Sequence, residues 1–348
     1  MAQQPALEHH PRRKDHPSLR IVVTGGAGFL GQRLIRLLLA TPTPVELNGE
    51  PANVREIVSL DRAAPLVSDR RVHASIGDVA DRESVRRVIT PDTDAVFHLA
   101  AVVSGQAEAE FDTGMRVNLT GALEVLEACR AIPRPPRVIF TSSVAVYGGD
   151  LPPTVQDATA LWPQNSYGTQ KAIAELLLND YSRKGYVDGR ALRLPTISVR
   201  PGKPNLAASG FASGIIREPL HGIDAVCPVS PDTPVWLLSP RRAVEGLVAG
   251  LNLSADALGP YRALNLPGIS VTPREMVAAL GRVAGPDVAA RVRWELDPAI
   301  QRIIGSWPAR WDTRHAESLG FRGEPDFDSI IRAYIAEEHP AAGLRTPP

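Results

Sequence analysis

Three evenly spaced glycines near the N-terminus restrict the possible folds more than any other feature. Gly25, Gly28 and Gly31 follow a β-branched stretch at 19–24 and precede a helical stretch at 29–40. Glycines at this spacing let the chain turn tightly, let the backbone approach a pyrophosphate, and let the helix pack on the strand. Free N–H groups at the helix start then face the phosphate. The run predicts a dinucleotide site made by Gly25, Gly28, Phe29, Leu30 and Gly31.

Strand-like and helix-like segments alternate over the first half of the chain. Strands are predicted at 19–24, 56–60, 71–75, 95–99, 137–141 and 191–194, and helices at 29–40, 84–89, 112–130 and 167–183. This alternation predicts an α/β fold, a Rossmann-type doubly wound parallel sheet. From about residue 195 the chain is richer in Pro, Gly and Ser, with helices expected at 240–252 and 273–284.

These patterns suggest how the chain is divided. We expect a disordered extension over 1–18, an NAD-binding Rossmann domain over 19–194 with a return strand near 261–266, a smaller α/β substrate lobe mainly over 195–335, and a tail over 336–348.

Charge and composition exclude several classes of partner. The 38 basic and 38 acidic side chains balance, which argues against a nucleic-acid surface. No apolar run approaches the roughly 20 residues of a membrane span, and the N-terminus lacks the apolar core of a signal peptide. Cys129 and Cys227 form no disulfide framework or metal-ligand spacing, and we expect both to be buried thiols. We therefore expect a cytoplasmic protein that acts on a small-molecule substrate and has no metal, nucleic-acid or membrane partner.

The second strand ends at Asp61, which bears on the choice of cofactor. A carboxylate there accepts hydrogen bonds from ribose hydroxyls and repels a 2′-phosphate, so NAD is favoured. Arg62 could accommodate a 2′-phosphate, so NADP stays as a weaker alternative. His98 is expected to be a core histidine, and Asp78 could equally be a turn residue. The other cofactor contacts are expected after the third and fourth strands, at Asp78, Val79, Leu99, Ala100 and Ala101.

Tyr167 and Lys171 are four residues apart, hence on one face of a helix. A tyrosine that acts as a base at neutral pH needs a depressed pKa, which a neighbouring ammonium supplies. Ser143, preferred over Ser142, ends the fifth strand and can orient a substrate hydroxyl toward Tyr167. Asn118 could extend a proton path by holding a water or a carbonyl, or could simply satisfy helix packing.

The segments TGGAGFLG, GDV, HLAA, SSVAVYG and YGTQK together resemble the extended short-chain dehydrogenase/reductase family, which includes nucleotide-sugar epimerases and dehydratases. The resemblance covers about residues 19–335. It implies that Ser143, followed by xxVYG, is catalytic together with Tyr167 and Lys171. It also implies that residues 195–198, beginning with Pro195, line the nicotinamide ring.

A narrower similarity concerns the substrate. The segments VVSGQAEAEFDTG, YGTQKAIAELLLNDY, LRLPTISVRPGKPN and SGIIREPL are similar to those of family members that oxidise a four-carbon sugar acid at C2. This similarity implies oxidation of D-erythronate to 2-oxo-tetronate. The substrate carboxylate needs a cationic partner, and a hydroxyl needs a polar one. The candidates are Arg200, Lys203, Asn205 and Ser104. Arg217 and Arg241 are further candidates of lower rank. Each of these residues could instead be a surface or interlobe residue.

Three other functions are possible for a chain with these motifs: an epimerase, a dehydratase and a non-catalytic sensor. A nucleotide-sugar epimerase would use the same Ser143, Tyr167 and Lys171 with tightly held NAD, and the sequence leaves it open. A dehydratase also needs an acid/base pair beside the serine, which Val144 and Ala145 do not offer. The intact catalytic set speaks against a non-catalytic dinucleotide sensor.

The helices at 112–130 and 166–183 resemble the pair that forms a dimer interface in this family, so a homodimer is expected. Their apolar residues could equally pack on the chain's own sheet; they are Leu119, Leu123, Leu126, Ile173, Leu176 and Leu177.

Overall fold

The computed structural model describes residues 17–40, 45–47, 49–202 and 207–338. Most of the expected N-terminal extension, the candidate residues Lys203 and Asn205, and the tail after residue 338 lie outside the described residues.

Fourteen strands are formed by the described residues. In chain order they are β1 (Ser18–Thr24), β2 (Glu46–Leu47), β3 (Glu50–Pro51), β4 (Asn53–Asp61), β5 (Val72–Ile76), β6 (Ala95–His98), β7 (Arg137–Ser143), β8 (Asp188–Leu194), β9 (Thr196–Ile197), β10 (Ala225–Cys227), β11 (Val235–Leu238), β12 (Ala263–Asn265), β13 (Ile269–Val271) and β14 (Val292–Trp294).

The α-helices of the described residues are α1 (Phe29–Leu38), α2 (Arg82–Val88), α3 (Ser104–Ala109), α4 (Phe111–Gly114), α5 (Gly121–Arg130), α6 (Ser166–Arg183), α7 (Phe211–Leu220), α8 (Pro240–Asn252), α9 (Ala255–Leu258), α10 (Pro273–Ala284), α11 (Pro286–Ala289), α12 (Pro298–Gly305), α13 (Arg314–Ser318) and α14 (Phe327–Glu338). A π-helical stretch, Met115–Thr120, joins α4 to α5, and short 3₁₀ turns form at Val144–Val146 and Ala208–Gly210.

Seven strands form the central sheet, in the order β12-β8-β7-β6-β1-β4-β5. Every neighbouring pair is parallel. The chain moves outward from β1 through β4 to β5, then crosses to the other side of β1 at β6. Ligands of such sheets bind where the strand order reverses, beyond the carboxyl ends of the strands. The Rossmann-type doubly wound sheet predicted from the sequence is confirmed, and β12 returns to it beside β8.

Apolar side chains cover both faces of this sheet. On one face, Leu34 of α1 and Leu247 of α8 belong to one buried cluster. On the other, Val85 of α2, Leu126 of α5 and Leu178 of α6 belong to a second cluster. Burying each such side chain contributes about 1.5–3 kcal/mol. The helices are thereby held against the strands that carry the site.

A smaller α/β lobe has its own core. α7, α10 and α14 surround a third buried cluster, with Ile215, Leu280 and Ile331 among its members. The lobe joins the end of β8 through β9, which pairs with β11. Thr272 caps α10 in a capping box with Glu275, so this helix spans the predicted residues. α14 continues to residue 338, three residues past the expected end of the lobe.

The single helix predicted over 112–130 is wrong in detail. α4 and α5 are separated by the π-helical stretch Met115–Thr120, and α3 precedes them as a separate helix. Inside the π-helical stretch, the Asn118 amide bonds to Val102 and Gln170. A wider turn keeps the helical apolar pattern nearly unchanged, so periodicity did not reveal it.

Candidate active site

Helix α6 carries the two residues on which the sequence analysis placed the chemistry. Asn165 caps this helix, its side chain accepting a hydrogen bond from the Gly168 amide at 2.8 Å. The Lys171 side chain is buried, and its Nζ donates to the Thr141 carbonyl at 2.9 Å. Nζ lies 5.7 Å from the centre of the Tyr167 ring and 4.7 Å from that of Phe140.

Ser143 completes this group from the end of β7. Its hydroxyl is hydrogen-bonded to Tyr167 and also accepts from the Ala145 amide at 3.1 Å. Ser142 instead directs its hydroxyl to the buried carboxylate of Glu175. Adjacent residues of a strand point to opposite faces, so only one of the two serines faces Tyr167. The structure therefore brings together Ser143, Tyr167 and Lys171, as predicted.

Burial is the largest cause of the pKa shifts of Tyr167 and Lys171. Burial lowers the pKa of Lys171 to about 7, while the nearby Glu175 carboxylate acts in the opposite direction. Burial raises the pKa of Tyr167 to about 12, against the lowering effect of the Ser143 hydrogen bond. The expected depression of the Tyr167 pKa is thus not what the protein groups alone produce. Removing water from a phenol disfavours its charged form more than these neighbours favour it.

Asn118 and His98 are both buried and bonded locally. Asn118 accepts from the Val102 amide at 2.9 Å and donates to Gln170 at 2.8 Å and to the Val102 carbonyl at 3.2 Å. It thus holds a backbone carbonyl, one of the two partners expected for it. His98 shares a 2.7 Å hydrogen bond with Thr24, and burial lowers its pKa to about 3, in keeping with a core histidine.

A cleft of about 400 Å³ opens at the carboxyl ends of β1, β4 and β6. Asp61 accepts hydrogen bonds there from the Ala27 amide at 3.0 Å and the Arg62 amide at 2.6 Å. Asp78 pairs with Arg116 at 2.5 Å and accepts from Ala80, so it makes both turn and side-chain contacts. Most of the predicted cofactor residues line this cleft: Gly25, Gly28, Asp61, Asp78, Val79, Leu99, Ala100 and Ala101.

The glycine turn fits a dinucleotide. Gly25 has φ +74°, and a Cβ atom there would lie 2.7 Å from the Ala100 nitrogen. A Cβ atom on Gly31 would lie 2.2 Å from the Gly25 carbonyl oxygen. Phe29 and Leu30 begin α1 directly after Gly28 but do not line the cleft. What the helix start offers a phosphate is their backbone N–H groups.

A second cavity of about 190 Å³ lies directly beside Ser143 and Tyr167. Three further predicted residues line it: Ser104, Pro195 and Arg200. Thr196 and Ile197 continue this wall, but Ser198 does not, because it is buried and donates its hydroxyl to the Ala212 carbonyl at 2.8 Å. The part that the resemblance assigns to Ser198 beside the nicotinamide ring stays a prediction. Sequence reasoning also missed four polar or aromatic lining residues: Asn165, Ser209, Ser213 and Trp307.

Three arginines were candidates for an anion, and the structure separates them. Arg200 lines the cavity, and the structure shows no carboxylate within 4.0 Å of its guanidinium among the described residues. Burial, and then the charge of Arg217, lower its pKa, and no ion pair of this guanidinium forms within the part of the chain that the structure describes. Arg217 also lines the cavity but pairs with Glu218 and donates to the Arg200 carbonyl at 2.8 Å. Arg241 is exposed at the start of α8, outside the cavity, so it is excluded.

Within the described residues we searched for metal sites and for membrane-spanning helices. No group of three or more His, Cys, Asp or Glu side chains is placed there to hold a metal ion. No helix in the described ranges is long and apolar enough to cross a membrane. Cys129 and Cys227 are both buried and unpaired with each other, as predicted.

Comparison with known proteins agrees with this site. The model of the NAD-dependent epimerase/dehydratase family matches residues 21–233. D-erythronate dehydrogenase of Cupriavidus necator is 59% identical over 320 residues, 92% of this chain and 98% of that protein. D-erythronate dehydrogenase of Haemophilus influenzae is 44% identical over 319 residues, 91% of this chain and 99% of that protein.

A solved structure extends the likeness to the whole fold. The crystal structure of a nucleoside-diphosphate-sugar epimerase from Agrobacterium tumefaciens superposes with a TM-score of 0.87 at 40% identity, covering 95% of this chain and 98% of that one. The fold, the glycine turn and these similarities lead to one conclusion. The chain belongs to the NAD-dependent epimerase/dehydratase family, the extended short-chain dehydrogenases and reductases.

Proposed function

We propose that this protein catalyses the NAD-dependent oxidation of D-erythronate at C2 to 2-oxo-tetronate. The observation that carries the proposal is the guanidinium of Arg200, without an ion pair among the described residues, in a small cavity that Ser143 and Tyr167 also line. A sugar acid brings one carboxylate for this cation and one alcohol for the tyrosine. The two relatives named D-erythronate dehydrogenase, at 59% and 44% identity, support the same substrate.

Each residue of the group then has one task. Tyr167 removes the proton of the C2 hydroxyl, and Ser143 holds that hydroxyl by a hydrogen bond. The ammonium of Lys171 stabilises the phenolate that Tyr167 must become. NAD, when bound, supplies the ring carbon that takes the hydride from C2 and a positive charge beside the site. The alcohol thus loses two hydrogens: the hydroxyl hydrogen leaves as a proton to Tyr167, and the C2 hydrogen would leave with two electrons as a hydride to bound NAD.

We assign binding of the acid to other residues that line the same cavity. Arg200 pairs with the carboxylate, and Arg217, which donates to the Arg200 carbonyl, holds the backbone of Arg200 in place. Ser104 is proposed to bind a hydroxyl of the substrate, as are the newly found Asn165 and Ser213. Lys203 and Asn205 stay predictions from the sequence.

A nucleotide-sugar epimerase is the alternative, favoured by the printed name of the Agrobacterium tumefaciens structure. The cavity beside Tyr167 holds about 190 Å³. Sites for larger ligands typically enclose about 300–1,000 Å³. A small acid fits the cavity better than a nucleoside diphosphate sugar does.

The decisive experiment is a screen of NADH formation by the purified protein. Aldonates of four to six carbons, their C2 epimers and UDP-sugars are each supplied with NAD. Net NADH with D-erythronate, lost in Tyr167→Phe, supports the proposal. Interconversion of a UDP-sugar without net NADH, and no reaction with any aldonate, would establish the epimerase instead.

We further propose that NAD is preferred to NADP, because the Asp61 carboxylate lies in the cleft where an adenosine ribose would bind. Replacing Asp61 by alanine should reduce the ratio of kcat/KM with NAD to that with NADP by about tenfold, roughly one lost charge-assisted hydrogen-bonding group. Arg62→Ala is the matched control and should raise the ratio or leave it unchanged. An unaltered ratio in Asp61→Ala would remove this residue from the role.

The assembly and location belong to the same proposal. We propose a homodimer formed through the π-interrupted α4–α5 helix and α6, since Phe111 and Leu176 expose apolar side chains on these elements. The division into an NAD-binding domain and a substrate lobe, and a cytoplasmic location, remain predictions from the sequence.

A further inference from the structure

A buried carboxylate lies one helical turn beyond Lys171 and has no part in the reaction described above. Glu175 is only 4% exposed. Tyr167, Lys171 and Glu175 are spaced four residues apart on α6, so they follow one another along the same face of the helix. A charge buried this deeply needs both a partner and an explanation.

The partner is Arg193 of β8, which is 0% exposed. Its Nε and one terminal nitrogen donate to the two carboxylate oxygens of Glu175, at 3.0 Å and 2.7 Å. Ser142 of β7 donates its hydroxyl to the same carboxylate. Glu175 is therefore held from two neighbouring strands at once, which leaves its carboxylate a single position.

The guanidinium of Arg193 is itself held on its far side. It donates to the Tyr261 hydroxyl at 2.8 Å, to the Asp157 carbonyl at 2.9 Å and to the Tyr147 hydroxyl. A bidentate pair with every donor occupied is rigid. The pair thus holds α6 at a set distance from the strands that end at Ser143.

Such a pair is a poor device for stability alone. The cost of removing two charges from water nearly cancels their attraction, and an apolar pair of similar size would hold the helix as well. What an apolar pair cannot supply is a negative charge near the buried ammonium of Lys171. The groups that face Lys171 are Tyr167 and Glu175 from its own helix, His98 from β6, and the Phe140 ring and Thr141 carbonyl from β7.

We infer that Glu175 is a positioning residue for the oxidation: held by Arg193 and Ser142, its carboxylate keeps the Lys171 ammonium charged and in place beside Tyr167. The inference rests on the proposed function, since it assigns Glu175 a part in that reaction. It is consistent with the pKa of Lys171, which burial lowers and Glu175 raises.

The sign of the pH effect follows directly. Without the carboxylate, the charged form of Lys171 loses its counter-charge, so its pKa falls further. An uncharged lysine no longer stabilises the phenolate, so the pKa of Tyr167 rises. Oxidation requires Lys171 protonated and Tyr167 ionised. With pKa values of about 7 and about 12 this form is the minor one, so the acid limb of the kcat/KM profile follows Lys171 and moves to lower pH, while the optimum falls.

The first test compares pH profiles of kcat/KM for D-erythronate with saturating NAD. In Glu175→Gln the acid limb should move to lower pH by about one unit, with at least about tenfold lower activity at the optimum. Glu175→Asp keeps the charge and should keep the limbs of the wild type. Asp188→Asn is the matched control: it breaks the ion pair between the partly exposed Asp188 and the buried Arg190, and should lower Tm without moving either limb. Glu175→Gln limbs equal to those of the wild type would overturn the inference.

Glu175→Gln strands the buried charge of Arg193 and can therefore unfold the protein. The double variant Glu175→Gln/Arg193→Met leaves no unpaired charge, keeps the fold testable and should show the same shift of the acid limb. A double variant with wild-type limbs would also overturn the inference.

A second readout does not depend on turnover. The chain has only four lysines, so NMR of the full protein with isotope-labelled lysine resolves each titration, and Lys171→Met identifies the signal of interest. The Lys171 signal should titrate at lower pH in Glu175→Gln than in the wild type. An unchanged titration contradicts the inference, whereas a shifted titration in a protein that forms no NADH from any aldonate contradicts only the proposed function.

Discussion

At the scale of single residues, the site depends on a phenol and an ammonium that are both removed from water. Burial moves their pKa values toward the uncharged forms, to about 12 for Tyr167 and about 7 for Lys171. A hydroxyl from β7 and a carboxylate from α6 work against this tendency. The chemistry therefore rests on a few short contacts rather than on the Tyr–Lys spacing alone.

Tyr167→Phe tests the general base. Without the phenol oxygen the C2 proton has no acceptor, so kcat should fall by about 10²–10⁴-fold while the Kd for NAD changes little. Tyr186→Phe, at a partly exposed tyrosine outside both cavities, should leave kcat unchanged. The measurement is steady-state NADH formation with NAD binding by fluorescence. Full turnover in Tyr167→Phe would rule out the assignment.

Arg200→Met tests the carboxylate partner. Loss of a charge-assisted hydrogen bond of about 1.5–3 kcal/mol should raise KM for D-erythronate roughly 10- to 150-fold, with a smaller change in kcat. Arg241→Met removes an arginine that lies outside the cavity and should leave KM as it is. If both variants bind the acid like the wild type, the carboxylate is held elsewhere, with Lys203 the next candidate.

At the scale of elements, the approach of α1 to β1 decides whether a cofactor cleft forms at all. Gly31 has no room for a side chain, since a Cβ atom would lie 2.2 Å from the Gly25 carbonyl oxygen and 2.7 Å from the Gly26 Cα. Backbone cannot move away as a flexible side chain would. The helix packs this closely on the strand only because the residue is glycine.

Gly31→Ala should therefore destabilise the fold by about 1–3 kcal/mol, as overpacking does, and should weaken NAD binding because the helix start moves. Gly281→Ala in α10 is the control, because its added Cβ atom would meet only Ala289 at 3.5 Å. That change should stabilise the protein by about 0.5–1 kcal/mol, the usual helix preference for alanine. Thermal unfolding with and without NAD measures both effects; equal Tm values for the two variants would contradict the packing argument.

The π-helical stretch Met115–Thr120 is a second feature that is set at the scale of elements. It carries Asn118, whose amide ties the helix to the loop after β6. Apolar spacing predicted a helix there correctly. The one wider turn depends on the hydrogen-bonding groups that the neighbouring loop and α6 present to Asn118.

At the scale of the whole molecule, two exposed apolar side chains are the basis of the proposed dimer. Leu176 is 65% exposed on α6, and Phe111 is 57% exposed on α4. Of the remaining apolar residues on these helices, Leu126 packs into the core of the chain's own sheet. Some of the apolar pattern thus serves the core, and the exposed part is what the proposed dimer would bury.

Leu176→Glu should convert the proposed dimer to a monomer, because burying a carboxylate in an apolar interface costs several kcal/mol. Leu296→Glu is the control: this leucine is 60% exposed but belongs to the C-terminal lobe. Light scattering should give twice the chain mass for the wild type and Leu296→Glu, and the chain mass for Leu176→Glu. A monomeric wild type would end the dimer proposal.

The sequence by itself determined the features that depend on neighbours along the chain. The glycine spacing, the acid that ends β4 and the turn between Tyr167 and Lys171 are all local. Periodicity located all six predicted strands, with ends within three residues of those observed. Even the caps of α10 could be recognised in this way, since a capping box spans only four residues.

The tertiary structure decided everything that joins distant segments. Trp307 reaches the cavity only because the C-terminal lobe folds back over the sheet edge. The same packing places Arg200 in the cavity wall and leaves Arg241 outside it. Arg193 meets Glu175 across 18 residues and two elements. No local pattern encodes such contacts, because they are set by how whole layers pack rather than by the residues on either side.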